Sequence, residues 1–194
     1  MNKTVKTAII AIAIVAIVLL AGFLIWKATS KEEGASSKLE INSQEGMTAL
    51  VDQIYAKIPE GTLPALQTTV VDVSDANLVK SFTGLDSAEN IEYIVASEPM
   101  MSSQAYSMVL VKVKSGADAN NIAKTMNENI DIRKWICVSA EKVYTATSGD
   151  IICLVMSNAD NAKLVYDNFK TLAGSVQKEY ERTEEEPELP PEMF

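Results

Sequence analysis

The side chains in this sequence that could do chemistry are carboxylates, two cysteines and a scatter of methionines and tyrosines; there is no histidine. Without an imidazole, Ser-His and Cys-His nucleophilic arrangements are excluded, and the commonest general base and metal ligand are missing. A carboxylate pair is the remaining catalytic option, because one protonated and one ionised carboxyl group can cleave a glycosidic bond. Asp72, Asp75, Asp86, Glu89, Glu92 and Glu98 lie close enough in sequence to supply such a pair. Helix capping is already a sufficient role for Asp75, Asp118 and Asp160, and a solvated surface suits the others. No P-loop, GxGxxG or GxSxG pattern occurs. The sequence therefore assigns no catalytic residue and no cofactor-binding residue.

Metal binding fares no better. Residues 118–121 and 158–161 are rich in Asp and Asn, but neither stretch has the ligand spacing of a calcium loop, and turn chemistry explains both. Fifteen residues lie between Cys137 and Cys153. Cys153 sits in the apolar run Ile151–Met156 and reads as a small buried hydrophobe, while a bridge to Cys137 stays open in an oxidising compartment. Met100, Met101 and Tyr106 surround a loop between two strand-like runs. They form the one candidate interaction surface, since methionines adapt to varied partners; folding back onto the core is the competing role. Trp135, beside Arg133 and Lys134, reads as a plug in the core, with an interface anchor as the alternative.

Elements must hold these residues in place. Met47, Leu50, Val51, Ile54 and Ile58 recur at helical spacing, which predicts an amphipathic helix over 48–58 that ends at Pro59. Residues 68–73 form a short β-branched run. Asp75 caps a brief helix over 76–82, closed by Gly84. Residues 91–97 and 106–113 read as strands, Asp118 opens a helix to about Ile130, and 143–147 and 151–156 flank the hairpin signal Ser148-Gly149-Asp150. Asp160 opens the last helix. Strand, Gly-Ala-Asp or Asn-Ala-Asp turn, and helix occur twice, so the second part of the chain could be two ββα units. The fold class expected is α+β: an antiparallel sheet with helices packed on one face.

This domain has an address. Residues 8–26 carry no charge and are nearly all Ala, Ile, Val, Leu or Phe. As a helix, nineteen residues span roughly 28 Å, close to the hydrocarbon core of a bilayer. The expectation is one transmembrane anchor after a short cytoplasmic N-terminus (1–7), with Trp26 at headgroup level. Lys3 and Lys6 before the span are matched by Lys27 and Lys31 after it; the shortness of the leading tail favours the N-terminus inside. A cleaved signal peptide is the alternative, but this apolar run exceeds the usual length of one. Residues 27–46 read as a flexible stalk, 47–174 as the extracytoplasmic domain, and 175–194 as an acidic, Pro-containing tail. Residues 31–194 hold all 26 acidic and 14 of the 17 basic side chains, a formal charge of −12. That balance argues against nucleic acid as a partner.

A helix ending in Ile58-Pro59, then Phe82-Thr83-Gly84-Leu85-Asp86, Glu92-Tyr93-Ile94 and Gly149-Asp150-Ile151-Ile152-Cys153-Leu154-Val155-Met156-Ser157 resemble a family of small extracytoplasmic domains of Gram-positive (Firmicutes) bacteria. Many members of that family are lipoproteins, and no activity is assigned to it. The resemblance covers about residues 47–173 and implies envelope location and a compact α+β domain. It departs from the lipoprotein pattern at Phe23, where a lipid-carrying Cys would stand, so the helix itself would be the anchor. The functional expectation is a non-enzymatic binding module whose partners are the membrane, through residues 8–26, and another envelope protein. The alternative is a carboxylate-based hydrolase acting on cell-wall material.

Overall fold

The computed structural model describes residues 39–101 and 103–184. The expected anchor at 8–26, most of the stalk and the last ten residues of the tail lie outside the described residues. Among the described residues no helix is long and apolar enough to cross a membrane.

The elements, in chain order, are α1 (Gln44–Tyr55), β1 (Leu66–Val71), α2 (Ala76–Thr83), β2 (Ile91–Pro99), β3 (Ser107–Val113), α3 (Ala119–Asn129), β4 (Lys142–Ser148), β5 (Ile151–Ser157), α4 (Ala159–Ala173) and β6 (Lys178–Thr183). They make an α+β domain with one six-stranded sheet in the order β1-β2-β3-β5-β4-β6, in which every neighbouring pair is antiparallel.

Helices cover both faces of this sheet, not one as the sequence reading expected. On β3 and β5, Met108, Leu110, Cys153 and Val155 pack with Leu50, Ile54, Val165 and Phe169 of α1 and α4. The alternate residues Val109, Val111, Ile152 and Leu154 pack with Val79, Ala123 and Met126 of α2 and α3. Side chains alternate across a strand, so the two central strands are buried throughout. Their composition follows: SMVLVKV and IICLVMS are near-continuous apolar runs, the pattern of strands covered on both sides.

Topology explains the placement. The connections β3-α3-β4 and β5-α4-β6 each link parallel strands across one intervening strand. Such crossovers are right-handed as a rule. Both step in the same direction across the sheet, but β3 and β5 run antiparallel, so equal handedness puts α3 and α4 on opposite faces. The two ββα units are therefore present in chain order without sharing a face.

Local chemistry sets the element ends. Ser43 accepts from Gly46 N–H, so α1 starts at Gln44, and Leu39 and Ile41 pack against the core. Residues 39–46, expected in the stalk, thus belong to the domain. Asp75 and Asp118 cap α2 and α3 as expected, but Asn158, not Asp160, caps α4. Gly84 closes α2 at φ 75°, and a Cβ there would lie 2.5 Å from the Ile130 amide nitrogen. The left-handed turn and the close approach to the end of α3 both require glycine.

The largest departure is β6. Residues 178–183 were expected in the acidic tail, yet they form an edge strand beside β4. Their polarity reads as tail only until partners are seen. Tyr180 donates to the Asn120 carbonyl at 3.1 Å, and Arg182 donates to the carbonyls of Glu128 and Ile130 at the end of α3. On the other face Glu179 accepts from Tyr166 and Lys170 of α4, both at 2.7 Å.

Candidate interaction surface

One end of the sheet collects the irregular segments. Leu66 pairs with Pro99, Ser107 with Met156, and Lys142 with both Ser157 and Thr183. The loops before β1, between β2 and β3, before β4 and after β5 therefore meet at a single edge, called here the loop end. α1 runs toward it: Tyr55 flanks Leu66, whereas Gln44 and Glu45 flank Val70 at the far end.

Five large apolar side chains stand exposed among the described residues, and three of them, Met100, Met101 and Ile136, are at the loop end. They are 70 %, 68 % and 67 % exposed. The loops that carry them are tied to each other by charge. Lys134 pairs with Glu98, which also accepts from the Ser107 hydroxyl at 2.7 Å. The same ammonium lies 5.0 Å from the Phe82 ring centre and 5.6 Å from that of Trp135, within range of a cation–π attraction. Glu184 accepts from Arg133 and from Ser139. These contacts fix both flanks of residues 133–139, so Ile136 is held outward with its chain anchored on either side. Trp135 is partly buried against the α2–α3 core, in keeping with the role of plug. Cys137, at φ 60°, is exposed and Cys153 is buried; both are free thiols.

Tyr106 does not join the methionines at the surface. It is 1 % exposed and packs in the α1–α4 core, where its hydroxyl lies 2.8 Å from that of Tyr55. A ring with one polar atom is easily buried once that atom has a partner. Burial pushes the Tyr106 phenol well above its ordinary range and that of Tyr55 up to about 12. Burial likewise raises the Cys153 thiol, which is no nucleophile at neutral pH.

Beside Tyr106 lies a cleft of about 360 Å³ lined by Thr62, Leu63, Gln104, Ser157, Asn158 and Asn161, among others, with no charged side chain in its wall. The start of α4 opens here, but Asn158 accepts from Asn161 N–H and Glu141 accepts from Ala159 N–H, both at 2.9 Å. With a carboxylate already on the helix N-terminus, the positive end of the helix is occupied.

The carboxylates considered for hydrolysis are dispersed. Asp86 is exposed and paired with Lys80, which lowers its pKa through a hydrogen bond and the ammonium charge. Asp72 is exposed, its carboxyl held down by hydrogen bonds from Ser74. Glu89 and Glu92 are exposed, Glu98 is bound to Lys134, and Asp75 caps α2. None of these lines the clefts beside Tyr106, between α4 and β6, beside Trp135, beside Pro59 or beside Val70. In the cleft between α4 and β6, Asp167 is paired with Lys163, Glu179 with Lys170 and Glu181 with Lys142, while Glu45 and Asp52 rim a separate cleft beside Val70. Among the described residues no group of three or more Cys, Asp or Glu is arranged to hold a metal ion.

The sequence named Met100 and Met101 but missed Ile136. Its signal was available: an apolar residue two positions after the charged pair Arg133-Lys134, in a segment with neither helical nor strand period. No protein-family model matches the chain, and no curated protein or solved structure matches it.

Proposed function

We propose that this chain is a single-pass membrane protein whose domain stands outside the cytoplasm and binds another envelope protein through its loop end. The observation that carries the reading is the exposure of Met100, Met101 and Ile136 on loops pinned by Lys134–Glu98 and Arg133–Glu184. Apolar side chains held in water without a packing role are what a contact surface offers, and a rigid base lowers the ordering cost of binding. The uncharged run at 8–26 supports the address. The resemblance to Gram-positive envelope domains points the same way.

The address is tested by protease treatment of intact cells carrying an epitope after Phe194. Loss of the epitope from sealed membranes is the expected result; a protected, membrane-bound epitope would place the domain in the cytoplasm and end the proposal. The binding role is tested by crosslinking and co-purification of the full chain against its Met100→Lys/Met101→Lys variant. A protein retained by the parent and lost from the variant is expected. An unchanged set of retained proteins would mean that the loop end is not the contact surface.

A further inference from the structure

The sheet has two outer strands of opposite character. β6 is KEYERT, four of six residues charged; β1 is LQTTVV, with none. A free strand edge is a row of amide donors and carbonyl acceptors, which proteins close with charge, proline, bulges or a covering element. Among the described residues β1 pairs with β2 alone, in continuous register from Leu66 to Val71. It has no charge, no proline and no bulge, and Val70 is 45 % exposed. Six residues give an edge of roughly 20 Å.

What flanks this edge selects its occupant. Leu66 packs on the α1–α4 side and Val71 on the α2–α3 side, so Leu66, Thr68 and Val70 face α1. There Val70 and Ala49 line a cleft of about 320 Å³ whose rim carries Glu45 and Asp52. Both carboxylates are exposed, and no ion pair among the described residues engages either. Pairing β1 with β1 of a second copy would need a two-fold axis perpendicular to the sheet, which keeps faces and sets α1 beside α1. That would oppose the same carboxylates across the axis, in a chain with a formal charge of −12 over residues 31–194. Like charges so placed are destabilising.

We propose that the free edge of β1 receives an extended peptide segment of a partner protein as a seventh strand. Lys or Arg side chains on its α1 side would meet Glu45 and Asp52. Main-chain hydrogen bonds to the edge supply affinity and the alternate side chains supply selection, as in other strand additions. Glu45 and Asp52 are two helical turns apart, about 10.5 Å along α1. Residues on one side of a strand recur about every 6.7 Å, so a segment with a basic residue at every second position reaches both. The carboxylates that select the peptide, Glu45 and Asp52, lie beside Val70, away from the loop end where Met100 N–H bonds the Ala65 carbonyl just before β1.

The test uses the full chain in detergent micelles and a fluorescein-labelled octapeptide of alternating Lys and Val, with a Glu–Val octapeptide as control. Binding of the Lys–Val peptide alone, read by anisotropy, is expected. Glu45→Lys/Asp52→Lys should weaken it at least about tenfold while circular dichroism is unchanged, both positions being exposed on α1. Met100→Lys/Met101→Lys should leave it unaltered, which separates this result from any failure of the loop-end proposal. Amide hydrogen exchange should slow in 66–71 on binding and stay unchanged in 178–183, which a merely electrostatic contact would not produce. No binding, binding indifferent to the charge reversal, or protection confined to β6 would each overturn the assignment. So would efficient crosslinking of a Thr69→Cys, Cys137→Ser chain to itself in membranes, because the edge would then be occupied by a second copy.

Discussion

At one margin of the sheet β6 binds itself to both helical layers: Tyr180 and Arg182 reach α3, while Glu179 reaches α4. At the other margin β1 contributes Leu66 and Val71 to the core and leaves Gln67, Thr69 and Val70 exposed. Both are six-residue edge strands with one neighbour. A closed edge and a receptive edge thus differ in what their outward side chains do, not in hydrogen-bonding pattern. Charge on β6 serves two ends, holding the strand in place and discouraging further pairing. Its absence on β1 leaves that edge without a partner strand among the described residues.

The contrast can be broken by mutation. Deleting residues 178–194 should have the largest effect, because it strips β4 of its outer neighbour and α3 of the groups that bind its last carbonyls. Loss of more than about 4 kcal/mol in urea unfolding, or failure to fold, is expected. Arg182→Ala should cost about 2 kcal/mol, since a charged donor to two carbonyls is removed. Thr69→Lys on β1 should change stability by no more than about 0.5 kcal/mol, although it charges the edge and should abolish peptide addition. A loss comparable to that of Arg182→Ala would show that β1 is braced by something it does not visibly touch.

Acid should separate the two edges more subtly. Hydrogen bonds from Lys170 and Tyr166 lower the Glu179 carboxyl below its ordinary value. A depressed folded pKa means that the contribution is present above the unfolded value near 4.5 and is lost as pH falls through the folded one. Amide protection in 178–183 should therefore decline below about pH 4.5, while that of 66–71, which contains no carboxylate, stays level.

How much of this was legible follows from where the information resides. Capping by Asp75 and Asp118, the Gly84 stop and the Gly149-Asp150 hairpin depend on neighbours in sequence, and all four appear as read. The second helical face was legible too, in the unbroken apolar runs of β3 and β5, had continuity been weighed against alternation. β6 was not. KEYERT is indistinguishable from a solvated tail until Asn120, Glu128, Ile130, Tyr166 and Lys170 are brought beside it by two crossovers. Tyr106 failed for the same reason, since its burial rests on Tyr55, which lies fifty-one residues earlier. Met100 and Met101 stand exposed, as a surface loop would have them.

The most direct measurement places a photoreactive residue at Met101, at Thr69 or at Glu181 of the full chain and irradiates intact cells. A domain that binds through its loop end and the β1 edge gives discrete adducts from 101 and 69 and none from 181. Adducts from 181 alone, or none from any position, would contradict it.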